Sequence, residues 1–147
     1  MYRHILIATD GSEISQRAIR HGVALAKALG ARVSGVHAVP DFIPPVDSLF
    51  PVYQFPSREE YQRLARIEAE GVLADVGKAC AAVGVEFEPA HAVDSHPYRL
   101  ILETARARGC DLICMASHGR HAISALLLGS ETQKLLSHCD LPVLVVR

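Results

Sequence analysis

Five short apolar runs recur along this chain, and four amphipathic stretches of helical period separate them. That alternation restricts the fold more than any other feature. Residues 4–8, His-Ile-Leu-Ile-Ala, form a continuous run of the kind buried on both faces of a parallel sheet. From Glu13 to Leu29 the positions Ile14, Ala18, Ile19, Gly22, Leu25, Ala26 and Leu29 follow three-and-four spacing, and Gly30 stops the helix. A second strand spans 32–39, and Pro40 ends it. Ser57 with Glu60 reads as a capping box, opening a helix that runs through Tyr61, Leu64, Ile67, Val72, Val76 and Cys80 to about Val83. Residues 85–93 carry Pro89 in mid-run, which marks an edge strand. Pro97 suits the first position of a helix reaching Arg108, and Gly109 follows. Residues 111–116 are another buried strand, about 130–137 a short helix, and 142–147 a terminal strand.

Strands alternating with helices imply one doubly wound α/β domain over residues 1–147: a five-stranded parallel sheet, Rossmann-like, with helices on both faces. In such sheets ligands bind beyond the carboxyl ends of the strands, where the winding reverses. With the order 3-2-1-4-5 that point lies between the first and fourth strands. Two sequence signals fall there. One is Asp10, at the end of the first strand, which could hold ribose hydroxyls or a phosphate-bound Mg²⁺, or could serve the turn before the first helix. The other is Met115-Ala116-Ser117-His118-Gly119, then nine residues, then Gly129-Ser130-Glu131-Thr132-Gln133. Gly119 and Gly129 can bring bare backbone against a ligand, and Ser130, Thr132 and the free N–H groups of a helix start offer donors to an anion. Ser130 with Gln133 also reads as a capping box that needs no ligand. His118, Arg120 and His121 add cations around the loop.

Composition narrows the choice. A net charge of −1 offers no basic field for nucleic acid or an anionic membrane, and no apolar run approaches the ~20 residues that span a bilayer. The N-terminus leads straight into a strand, so a cytoplasmic location is expected. Cysteines at 80, 110, 114 and 139 lack zinc or redox spacing and read as reduced, buried thiols; eight scattered histidines make no side-chain metal site. Residues 40–56 hold five of the eight prolines. Phe42, Ile43, Leu49, Phe50, Tyr53 and Phe55 there either cover a ligand as a lid or pack on their own domain.

The stretches Ile5-Leu6-Ile7-Ala8-Thr9-Asp10-Gly11-Ser12 and Leu141-Pro142-Val143-Leu144-Val145-Val146, with Gly119, nine residues and Gly129-Ser130, resemble the universal stress protein family over essentially the whole chain. Members that bind ATP share Gly, two residues, Gly, nine residues, Gly, then Ser or Thr; here Ala116 stands at the first glycine. The resemblance implies the 3-2-1-4-5 order and a pocket for ATP or ADP, with Mg²⁺ accompanying the phosphates. Asp10 is then expected at the ribose, Ala8, Ala38 and Met115 around the adenine, and Gly119, Arg120, Gly129, Ser130 and Thr132 about the phosphates. A methyl at Ala116, if it faced the ligand, would weaken binding by on the order of 1–3 kcal/mol. The resemblance also implies a homodimer paired through Val143, Leu144, Val145 and Val146, where a bare apolar edge would otherwise be exposed.

Three functions follow as expectations. A dimeric nucleotide-binding regulator of the stress response fits the lack of a Ser-His-Asp order, of a G-x-x-x-x-G-K loop and of a lysine beside Gly129. A slow ATPase or nucleotidyl transferase would use Asp10 for Mg²⁺ and His118 or His121 as acid or base. A stress protein acting by protein contacts without nucleotide is the third. A flavodoxin-like or receiver module is disfavoured, because no acidic pair follows the first strand and no lysine the last.

Overall fold

The computed structural model describes residues 1–42, 56–118 and 128–147. Most of the lid candidates, and Gly119, Arg120 and His121, lie outside the described residues. The elements in order are β1 (His4–Ala8), α1 (Glu13–Leu29), β2 (Arg32–Val39), α2 (Arg58–Val83), β3 (Phe87–Val93), α3 (Pro97–Arg108), β4 (Leu112–Ala116), α4 (Ser130–His138) and β5 (Val143–Val146). The five strands form one parallel sheet in the order β3-β2-β1-β4-β5. The reversal of winding therefore falls between β1 and β4, as expected.

Both faces of the sheet are covered. Ile5 and Ile7 of β1 join Leu112, Cys114 and Ala116 of β4 in a cluster with Ala18, Ile19, Val23 and Ala26 of α1 and Val76 and Cys80 of α2. Leu6 and Ala8 turn the other way, to Ile113 and Met115, Leu100, Ile101 and Ala105 of α3, and Leu135 of α4. Every residue of β1 and β4 is buried, which is why neither strand alternates in sequence. Helix α1 lies so near the sheet that a Cβ on Gly22 would come within 2.8 Å of Ile7 Cδ1 and 3.2 Å of Cys114 Sγ.

The element ends follow their caps. Ser12 and Ser57 accept the N–H of Ser15 and Glu60 and start α1 and α2. Helices α1, α2 and α3 each end on a left-handed glycine (Gly30, Gly84, Gly109), and the next N–H reaches back five residues, Val85 to the Cys80 carbonyl for example. That bond explains why β3 starts at Phe87 rather than at residue 85: Val85 is engaged by the end of α2. The apolar stripe of α2 also differs from the expected one. The helix buries Ala65, Ala69, Leu73, Val76 and Cys80. Leu64 and Ile67 stay exposed, at 48% and 54%. Small residues bring the helix closer to the sheet than the large ones one position away could.

Strand β3 is an edge, as Pro89 suggests, and Arg108 from the end of α3 closes its middle. The guanidinium donates to the Pro89 carbonyl at 3.0 Å, to the Glu88 carbonyl and carboxylate at 3.4 and 3.3 Å, and to Ser34 Oγ at 3.3 Å. The same Ser34 Oγ lies 2.9 Å from Nε2 of His4, which is 3% exposed. Nδ1 of His4 is buried and has no hydrogen-bond partner among the described residues. Burial, reinforced by the nearby Arg32 charge, pushes the His4 pKa below its ordinary value. Asp111 fastens the neighbouring backbone by accepting the N–H groups of Arg3 and His4 at 2.9 and 3.0 Å. Burial alone would raise its carboxyl, but these bonds outweigh burial and hold it below the usual range.

Candidate functional site

The crevice beyond β1 and β4 is built from two turns. At the first, Thr9 leaves β1 with its N–H on the Val36 carbonyl, and its own carbonyl 2.9 Å from Nδ1 of the buried His37. A carbonyl only accepts, so Nδ1 carries the proton. Thr9 Oγ1 accepts the Gly11 N–H and donates to Ser15 Oγ, which donates to the Ser12 carbonyl. Asp10 projects from the middle of this lattice, half-buried, with Oδ1 accepting the Ser12 N–H at 2.9 Å. The carboxylate thus serves the turn, and Ser12 rather than Asp10 caps α1.

The second turn joins β4 to α4. Ser117 leaves β4 with its N–H on the Val146 carbonyl at 2.7 Å and its carbonyl accepting Gly129 N–H at 2.8 Å. Residues 117 and 129 are thereby held together. A Cβ on Gly129 would stand 3.0 Å from His118 Cα and 3.4 Å from the Ser117 carbonyl oxygen. Glycine is required here by the close approach of two backbones, since its φ of −60° is open to any residue. Ser117 Oγ and His118 Nδ1 are 3.0 Å apart.

Gly129 is the N-cap of α4, with extended backbone, and among the described residues no side chain caps the helix start. The capping box expected from Ser130 and Gln133 is therefore absent. Ser130 is already helical, and the Gln133 side chain donates to the Leu128 carbonyl at 2.8 Å. The first N–H groups of α4, from Ser130 to Thr132, belong to the turn that a helix start leaves outside its own hydrogen-bond ladder, and they give the crevice a donor-rich end. Thr132 does not extend that end with its side chain. It is 2% exposed, and its hydroxyl donates to the Ala116 carbonyl at 3.2 Å, tying α4 to the tip of β4.

Ala8 and Met115 are register partners, each 7% exposed, on the α3–α4 face of the sheet. Ala38 packs on the same face, two residues beyond the partner of Ala8. Those three candidates are brought together. Ala116 turns the opposite way, its methyl packed into the cluster with Ile5, Ile7, α1 and Val146. The expectation that this methyl presses on a ligand in the crevice is thus corrected: the alternation of β4 sends it into the core. Sequence reasoning missed His37, Ser117 and Glu131. A buried histidine beside a strand end was the only signal available for the first, and the third acts across 33 positions of sequence.

Two clefts lined by described residues lie elsewhere. One, of about 400 Å³, opens beside Arg3, Lys27, Arg32 and Glu86 at the amino ends of the strands; the other, of about 290 Å³, lies between α2 and β3. Neither includes the β1–β4 crevice, where the convergent donors are. The four thiols are free, and burial raises that of Cys80 and that of Cys110 to about 11 and that of Cys114 to about 12, which leaves these three unreactive. Among the described residues no helix is long and apolar enough to cross a membrane, and no three His, Cys, Asp or Glu side chains gather as a metal site.

Known proteins agree with this architecture. A curated Thermus aquaticus relative, the universal stress protein in the QAH/OAS sulfhydrylase 3′ region, is 35% identical over 150 residues, covering 100% of both chains. The solved structure of MJ0577, a Methanocaldococcus jannaschii universal stress protein, superposes with a TM-score of 0.82 at 29% identity, covering 99% of this chain and 96% of that one. More distant structures share the fold: a universal stress protein in complex with cAMP (TM-score 0.71, 22% identity, coverage 99% and 97%), one from Archaeoglobus fulgidus with dAMP (0.70, 20%, 99% and 98%) and one from Arabidopsis thaliana with AMP (0.67, 14%, 98% and 90%). The model of the universal stress protein family matches residues 1–147, and the chain belongs to that family.

Proposed function

We propose that this universal stress protein is a single-domain, adenine-nucleotide-binding regulatory protein of the stress response. The reading rests on one observation above the rest: the start of α4, which no side chain among the described residues caps, and the Asp10 turn converge on the crevice between β1 and β4, which Ala8, Ala38 and Met115 border on one face. A nucleotide matches that donor set. Small side chains leave room for a planar base, a carboxylate suits ribose hydroxyls, and a helix N-terminus suits phosphate. Relatives of the same fold in complex with cAMP, dAMP and AMP support the ligand class.

In this reading the Asp10 carboxylate takes the ribose hydroxyls. Gly129 and Ser130 present backbone N–H groups to the phosphates, with Gly119 and Arg120 contributing from the loop before them. Thr132 and Ala116 hold α4 in place rather than touch ligand. ATP and ADP bind with Mg²⁺ on their phosphates, Asp10 being the nearby carboxylate. The protein works in the cytoplasm as a homodimer joined through Val143–Val146, whose apolar strand edge is the natural pairing surface.

Calorimetric titration with AMP and with Mg-ATP tests the reading. Binding is expected in the micromolar to millimolar range, and Asp10→Ala is expected to weaken it by roughly tenfold or more, the loss of a charged hydrogen bond. No heat with either nucleotide at millimolar concentration would refute it.

A further inference from the structure

The first turn of α4 also carries a fixed anion. Glu131 follows Ser130 directly, and its carboxylate reaches sideways to α3. Oε2 accepts the Tyr98 N–H at 3.0 Å, and Oε1 accepts from Lys134 Nζ at 2.9 Å. Helix α3 begins with Pro97, and its N-cap His96 supplies no side-chain bond. Its start is therefore closed by a carboxylate borrowed from α4. The Lys134 ammonium lies 5.9 Å from the centre of the Tyr98 ring, so Glu131, Tyr98 and Lys134 form one joint between the two helices.

The Glu131 side chain is 32% exposed, so its charge is partly withdrawn from water. It sits one residue from the N–H groups that the nucleotide reading gives to phosphate. An anion fixed there repels a second anion on the same turn, and the repulsion grows with the charge the ligand brings. Lys134 and the Tyr98 N–H offset part of it. A triphosphate brings more charge than a monophosphate and pays more of the remainder.

We propose that Glu131 is a specificity-determining residue, whose fixed charge, moderated by Lys134, biases the site toward mononucleotides over di- and triphosphates. The inference rests on the nucleotide reading above. It assigns to Glu131 an electrostatic role beyond closing α3.

Glu131→Gln separates the two roles, because the amide keeps a carbonyl oxygen for the Tyr98 N–H and loses only the charge. Kd values for AMP and for ATP, both in EDTA without Mg²⁺ so that the two ligands differ in charge, are measured by calorimetry at low and high salt, with thermal unfolding as the check on folding. Glu131→Gln is expected to improve ATP relative to AMP by roughly two- to fivefold at low salt, and the gain is expected to shrink at high salt. Lys134→Met, which uncovers the carboxylate, is expected to move the ratio the opposite way. A purely structural joint would shift both ligands together. An unchanged ATP-to-AMP ratio in both variants overturns the inference while leaving nucleotide binding intact. A wild-type protein that gives no heat with AMP or ATP removes both.

Discussion

Replacing Ala116 with glycine restores the family's first motif glycine, and the structure predicts that it makes the protein worse without improving the site. The methyl is 7% exposed and packs in the cluster with Ile5, Ile7 and Val146. Removing one buried carbon costs about 0.8 kcal/mol of transfer free energy. Glycine in a strand costs a further ~0.5–1 kcal/mol in backbone entropy. Ala116→Gly is thus expected to destabilise by about 1.5 kcal/mol, which for a chain of this size lowers Tm by about 3–6 °C. The Thr132 hydroxyl bonds the backbone carbonyl of residue 116, so that contact survives. Nucleotide affinity is expected to stay within about twofold of wild type. If the methyl faced the ligand instead, its removal would recover up to about 1–3 kcal/mol, roughly a five- to 150-fold gain. Calorimetric titration with AMP alongside thermal unfolding decides. Tenfold tighter binding with an unchanged Tm would refute the assignment of this side chain to the core.

Gly129→Ala places a methyl 3.0 Å from a backbone atom of His118, so the β4 exit or the α4 start must shift. A loss of about 1–3 kcal/mol in stability and a clear loss of nucleotide affinity are expected, and wild-type values in both urea unfolding and titration would contradict the close approach. Stability should also depend on pH through His4. Its folded pKa lies below the unfolded value, so the unfolded chain takes up the proton first; stability is full above about 6.5 and falls as pH drops from there through the folded pKa. Urea unfolding from pH 8 to 5 should show this fall in the wild type and a flatter profile in His4→Gln, and identical profiles would rule it out. Asp111 has a depressed pKa, and its contribution is lost only below the ordinary carboxylate range, which keeps the two effects apart.

Strand and helix order were legible because each element announces itself locally: apolar runs, serine caps, and glycines placed where a left-handed residue ends a helix. The position of Asp10 and of the second glycine segment followed from topology alone. The direction of the Ala116 side chain did not. Leu112–Ala116 is apolar throughout, so no alternation shows which residues face α1; only register against β1 and β5 settles it. The start of α4 was read correctly but its cap was not, because Ser130 and Gln133 fit a capping pattern while Gly129 is the N-cap and Ser130 is already helical. Thr132 looked like a ligand donor for the same reason a buried threonine often does: its hydroxyl has a partner, but on the inside. The Glu131–Tyr98 bond joins separate helices, and no local spacing reveals it.

The two borders of the sheet are unlike. Just before β3 the Glu86 carbonyl faces inward to Val33, so Pro89, an odd number of residues on, faces outward. Proline has no N–H to offer there, and Arg108 occupies its carbonyl, which interrupts the row of groups an incoming strand would need. On β5 the residues run apolar and without proline. If two copies pair through β5 as proposed, growth by strand addition would stop at that closed pair, because among the described residues the β3 border offers an incoming strand a proline and an occupied carbonyl instead of a continuous ladder.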